Sequence, residues 1–202
     1  GAYQAGPDPL LTKSWGMFAI DAQGAWNKAP KGQGIVVAVT DTGVDYTHQD
    51  IVANMWTNSK EVMGDGIDND NNGYVDDIVG WDFAMNDNKP YDLSLSLMDI
   101  IMKGGNPGHG THVSGVIGAA ANNSIGTAGV APEVKIMALR FITESGSGST
   151  DAAIKAIDYA VNNGANIINA SWGGESDGQA EEDKLLKEAI ERAQAKGVIF
   201  MV

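Results

Sequence analysis

Residues 35–50 read IVVAVTDTGVDYTHQD. The first six are apolar or β-branched with no polar alternation, which predicts a strand buried on both faces. Strands of that kind belong to parallel sheets covered by helices on either side. The strand runs into Asp41, a carboxylate at its carboxyl end. Ligands and reactive groups collect at such ends in open α/β sheets, so Asp41 is a candidate functional residue that needs a partner.

Outward from this strand the same rhythm repeats. VKIMAL (134–139), GANIINAS (164–171) and GVIFMV (197–202) are further apolar strand candidates. Helical patterns lie between them. One covers residues 111–121. A second, residues 150–163, sets Ala153, Ile157, Ala160 and Val161 on one face and stops at Gly164. A third, residues 180–196, turns Leu185, Leu186, Ala189, Ile190 and Ala193 inward and carries the pairs Asp183–Lys187 and Glu188–Arg192 outside. The fold class expected is α/β, a mainly parallel sheet with helices on both faces. Residues 57–108 break the rhythm and read as an inserted acidic loop region within a single domain spanning 1–202. GVIFMV reads as an interior strand that should lead into a functional loop, so the domain is expected to continue beyond Val202.

Composition removes several functions. The formal net charge is −13, opposite to what phosphate neutralisation by a nucleic-acid binder requires. No apolar run approaches the roughly 18 residues of a membrane span, and residues 1–11 do not form a signal peptide. There is no cysteine, so disulfides and thiolate metal sites are excluded. An extracellular protein without disulfides needs another tie, and bound calcium is one.

Two of the three histidines lie in GHGTHVSG (108–115). Zinc is a poor fit, because the helical zinc motif needs His at i and i+4 with a Glu, and here the spacing is i+3 with no Glu. An aspartic protease is also a poor fit, because that chemistry needs two Asp-Thr-Gly carboxylates on an all-β fold. The remaining chemical reading makes one histidine a general base, oriented by Asp41.

The charge is uneven: residues 65–92 hold eight Asp and one Lys. Within them DNDNNG (68–73) matches the opening of an EF-hand loop, where oxygen ligands at alternate positions surround Ca²⁺. The expected ligands are Asp68, Asp70, Asn72 and the Tyr74 carbonyl. The twelfth position is Val79 rather than Glu, so Asp76 or Asp77 is expected to close the shell.

Together TDTGVDYTHQD (40–50), GHGTHVSG and INASWGG (168–174) resemble the subtilisin-like serine proteases, the subtilases, from about Asp8 to Val202. The resemblance implies a twisted parallel sheet and an Asp–His–Ser mechanism with Asp41 and His109 in the first two roles. It makes His112 a structural histidine and leaves His48 outside the pair. It implies that Gly146, Ser147 and Gly148 form one wall of a peptide cleft, and Ser171, Trp172 and Gly173 the other. It also implies a second Ca²⁺ site, with Asp8, Asp50, the Asn123 side chain and carbonyls near Ala121, Ile125 and Thr127. Neither the family's Gly-Thr-Ser nucleophile motif nor its oxyanion-hole Asn occurs in these 202 residues. Expected partners are therefore protein or peptide substrates, the C-terminal part of the same domain and an inhibitory propeptide, with no nucleic acid and no membrane. The expected location is secreted, extracellular or periplasmic. The alternative is an inactive subtilase-like chain that binds calcium or a partner.

Overall fold

A computed structural model describes residues 7–103, 105–173 and 180–202. Its described residues form a five-stranded parallel sheet. In chain order the strands are β1 (Val36–Asp41), β2 (Gly80–Asp82), β3 (Lys135–Arg140), β4 (Ile167–Asn169) and β5 (Ile199–Met201). Their spatial order is β2-β3-β1-β4-β5. The helices are α1 (Trp15–Ala19), α2 (Ala22–Trp26), α3 (Leu97–Lys103), α4 (His109–Gly118), α5 (Thr150–Asn162) and α6 (Ala180–Ala195).

Strand alternation sends side chains to two cores. Ala38, Met137, Leu139 and Ile168 face α5 and α6, meeting Ala156, Ile157, Ala160, Ala189 and Ala193. Val37, Val39, Ile136 and Ala138 face the other way, onto Val113 and Ile117 of α4. This is why β1 and β3 read as unbroken apolar runs: neither face meets water. Ser149 starts α5 as an N-cap, its hydroxyl accepting from the Ala152 amide at 3.1 Å.

Three details depart from the sequence reading. Residues 57–108 supply an edge strand, β2, and a helix, α3, within the region read as loop. Leu185 is 44% exposed, because α6 packs through the small residues Ala189 and Ala193. The outer ion pairs are exchanged: Glu188 meets Lys184 at 4.0 Å, Lys187 meets Glu191 at 3.7 Å, and Arg192 crosses to Asp158 of α5 at 2.9 Å. Among the described strands β5 pairs with β4 alone, with Ile199 and Met201 56% and 53% exposed.

Candidate active site and cation-binding loops

The sheet order places β1 between β3 and β4, so the segments leaving those two strands flank Asp41. Asp41 is fully buried. Its carboxylate accepts the Thr42 amide at 2.6 Å. Nδ1 of His109, the first residue of α4, lies 2.8 and 2.9 Å from the two Asp41 oxygens. Thr42 locks the two elements together: its hydroxyl donates to the Pro107 carbonyl at 3.1 Å and accepts the Gly110 amide at 3.0 Å. Gly110 is required by this approach, since a Cβ there would sit 2.2 Å from the Gly43 carbonyl oxygen.

A carboxylate can only accept, so Nδ1 carries the proton and Nε2 is left as a base. The imidazole is 40% exposed, whereas Asp41 is sealed beneath it. Among the described residues, Asp41 is the hydrogen-bond partner of the His109 ring. The arrangement can take a proton from a group placed beside Nε2 and hold the resulting imidazolium against a buried carboxylate.

The two sequence-predicted walls stand on either side. Residues 145–149 are exposed beyond β3, in a turn closed by Thr143 N to Ser147 O at 2.8 Å and Gly146 N to Thr143 O at 2.9 Å. Gly148 ends the turn against the Phe141 ring. Beyond β4, Trp172 donates from Nε1 to the Thr40 hydroxyl at 3.0 Å, and its ring meets Phe141 edge-on with centroids 4.8 Å apart. The Ser171 hydroxyl accepts from Asn169 Nδ2 at 2.8 Å. Ser171 and Gly173 are exposed, and Gly174 lies outside the described residues.

The histidine expected to be structural is not buried. His112 is exposed on α4, together with Val116, along a groove of about 720 Å³ between α1 and α4. The sheet covers the face of α4 bearing Val113 and Ile117, and His112 points away from it. His48 is also exposed, its Nδ1 accepting the Asp50 amide at 3.1 Å.

The acidic loop brings Asp70 and Asp77 together with Glu61, a residue outside the EF-hand reading. Carboxylate oxygens of Glu61, Asp70 and Asp77 lie within 4.8 Å of one another. Asp77 is fully buried. It accepts hydrogen bonds from Asn58 at 3.0 Å, Asn72 at 2.9 Å and Tyr159 of α5. Burial pushes its carboxyl above the ordinary carboxylate range, while these donors pull it down. The same burial and Asp77 itself push the Tyr159 phenol upward. Asp68 instead accepts the Asn72 and Gly73 amides at 3.0 and 2.8 Å. Asp76 accepts those of Gly64 and Gly66 at 2.7 and 3.0 Å. The Tyr74 side chain packs on Trp81, Phe83 and Tyr159. Glu61 escaped the sequence reading because it lies nine residues before Asp70, outside any local ligand spacing.

The second loop joins the segments expected of it. Asp8 and Asp50 are buried, at 4% and 5% exposure. Asp8 accepts the Asn122 and Asn123 amides at 2.9 and 3.0 Å. Asp50 accepts Asn123 Nδ2 at 2.8 Å and the Thr127 amide at 3.1 Å. The Asn123 side-chain oxygen accepts the Ile125 amide at 2.9 Å. Ala121 lies on the same loop, half-buried.

Comparison with known proteins identifies the family. The model of the subtilase family matches residues 32–202. Thermitase of Thermoactinomyces vulgaris is 34% identical over 195 residues, covering 96% of this chain and 55% of its own length. Subtilisin Savinase of Lederbergia lenta is 32% identical over 187 residues, covering 93% and 53%. Subtilisin-like protease 1 of Plasmodium falciparum is 35% identical over 167 residues, covering 82% and 22%. The chain thus spans about half the length, or less, of these curated relatives. Among solved structures, a cold adapted subtilisin-like serine proteinase superposes with a TM-score of 0.55 at 28% identity, covering 85% of this chain and 46% of that one. A protease from Pseudoalteromonas arctica shares the fold with a TM-score of 0.68 at 24% identity, covering 97% and 57%. A family match over most of the chain, on this parallel sheet with Asp41 at the end of β1 beside His109 at the start of α4, means that this chain belongs to the subtilase family.

Proposed function

We propose that these 202 residues are the N-terminal part of a single calcium-stabilised serine endopeptidase domain. The observation that carries the reading is the 2.8 Å contact of His109 Nδ1 with a fully buried Asp41. His109 is the general base: it takes the proton of a serine hydroxyl as that oxygen attacks a peptide carbonyl, then returns it to the leaving amine. Asp41 holds the imidazole in the required tautomer. The serine and the oxyanion-hole donor come from the C-terminal part of the domain. Among the described residues, Ile199 and Met201 of β5 and Val116 beside His112 are exposed apolar side chains, which a further part of the domain would cover.

The substrates are proteins or peptides, held as an added strand between Gly146–Ser147–Gly148 and Ser171–Trp172–Gly173. Exposed glycines let a peptide backbone approach, and main-chain hydrogen bonds require no particular side chain. An inhibitory propeptide would use the same cleft.

Both acidic loops have the oxygen donors that Ca²⁺ needs, on carboxylates that would repel one another alone. Glu61, Asp70 and Asp77 would hold one ion, with Asn72 beside them. Asp8, Asp50 and Asn123 would hold another, with loop carbonyls from Ala121 to Thr127. A bound ion supplies charge neutralisation and a cross-link between distant segments. Among the described residues no helix is long and apolar enough to cross a membrane. With calcium ties in place of disulfides, the location that fits is outside the cytoplasm, as a secreted protein.

The test compares the 202-residue chain with the full-length protein on a peptide amide. The expected result is turnover by the full-length protein and none by the 202 residues alone. Turnover by the short chain that disappears on Ser171→Ala would move the nucleophile into this chain and overturn the reading. An inert but folded full-length protein would favour the calcium-binding, non-catalytic alternative.

A further inference from the structure

Arg140 ends β3 directly beside Asp41 in the β1–β3 register, and it is 7% exposed. Its guanidinium reaches two carboxylates on different elements. Nη1 donates to Asp82, the last residue of β2, and Nη2 donates to Glu144 Oε2 at 2.9 Å. Glu144 immediately precedes the exposed wall at 145–149. The stem of Arg140 packs on the turn that follows Asp41, where a Cβ on Gly43 would lie 3.1 Å from Arg140 Cδ. The Phe141 and Ile142 amides donate to the Asp41 carbonyl at 3.1 and 3.3 Å. One side chain therefore touches β2, the residue that leads into the wall and the turn that follows Asp41.

Stability alone is a poor reason for this arrangement. Desolvation of a buried ion pair largely cancels its Coulomb attraction. Burial holds the Asp82 carboxyl above its ordinary range even beside the guanidinium. A planar fork does supply geometry: it fixes two carboxylates at a set separation and angle, which a lysine cannot do. Asp82 is itself a fixed anchor, because it accepts the Ala84 and Met85 amides at 2.8 and 3.0 Å.

We propose that Arg140 is a positioning residue that holds the 145–149 wall, through the preceding Glu144, at the height where an extended peptide pairs with it. The inference rests on the peptidase reading above. Its mark is selectivity by substrate length. A peptide with four residues before the scissile bond uses the wall, and a single-residue amide does not. Both depend equally on Asp41 and His109.

The experiment measures kcat and KM of the full-length protein for both substrates, with Glu144→Gln and Arg140→Lys. Glu144→Gln should raise KM for the long substrate about tenfold, as expected for loss of a charged hydrogen bond. It should leave kcat, its pH profile and the short substrate unmoved. Arg140→Lys should reproduce the long-substrate effect, because one ammonium cannot bridge both carboxylates. If Arg140→Lys does not fold, Glu144→Gln decides alone, since its side chain is 35% exposed. Equal effects on the two substrates, no effect on either, or a fall in kcat alone would overturn the proposal. A wild-type protein inert towards both would overturn the peptidase reading itself, a separate outcome.

Discussion

In the full-length protein His109→Ala lowers kcat for a peptide amide by about 10⁴-fold or more, with KM little changed. Asp41→Asn falls by a similar factor, of order 10⁴. The two losses have different causes. Without the imidazole no group in the described residues stands over Asp41 to accept a proton. With Asn at position 41 the imidazole remains, but the amide can donate to Nδ1. The proton then moves to Nε2, which is left as a donor where a base is needed. The double variant should fall no further than the worse single variant, because the pair acts as a unit. Steady-state rates with circular dichroism as a folding check measure this. A folded His109→Ala protein at the wild-type rate would remove the base assignment.

Much of this site could be read from the chain because its signals are local. β1 and β3 are apolar on both faces, so the carboxylate of Asp41 at the end of β1 stands out against that background, and His109 stands out within a glycine-rich helix start. What escaped reading depended on distance or shortness. β2 has three residues, Gly80–Asp82, too few to show a period. Glu61 joins Asp70 and Asp77 only after the loop closes on itself. Arg192 prefers Asp158 over its helical neighbour Glu188 because α5 and α6 pack side by side, which spacing along one helix cannot show. His112 occupies the motif position of a structural histidine, yet burial belongs to what covers a residue, and here its side of α4 is open. Leu185 fails for a related reason: apolar periodicity marks a face but not how far along the helix its partner extends.

Chelation of calcium should produce the second large effect. An ion bound to the folded state alone contributes roughly 2.7 kcal/mol at a calcium concentration 100 times its dissociation constant. For a domain of this size that corresponds to about 5–10 °C in thermal midpoint per ion. The two ions should differ in reach. Asp8, Asp50 and Asn123 are far apart in sequence, so losing their ion should release the N-terminal segment from the sheet. Losing the ion of Glu61, Asp70 and Asp77 should loosen the 58–77 loop and its hydrogen bond to Tyr159 on α5. Calorimetric titration of Asp70→Ala and Asn123→Ala should each show one ion fewer than wild type. Hydrogen exchange should then place the loosening in the corresponding segment. Unchanged stoichiometry in both variants contradicts the map, and in one variant it removes that site.

The central claim is that Asp41 and His109 activate a serine supplied from outside these 202 residues. A peptidyl phosphonate, which bonds to an activated serine oxygen, tests it most directly. The full-length protein is treated with the reagent, digested, and the modified residue is located by mass spectrometry. The account predicts one modified serine, outside residues 1–202, and no modification in His109→Ala. Modification of Ser171 or any other serine within residues 1–202, or labelling that persists without His109, would contradict it.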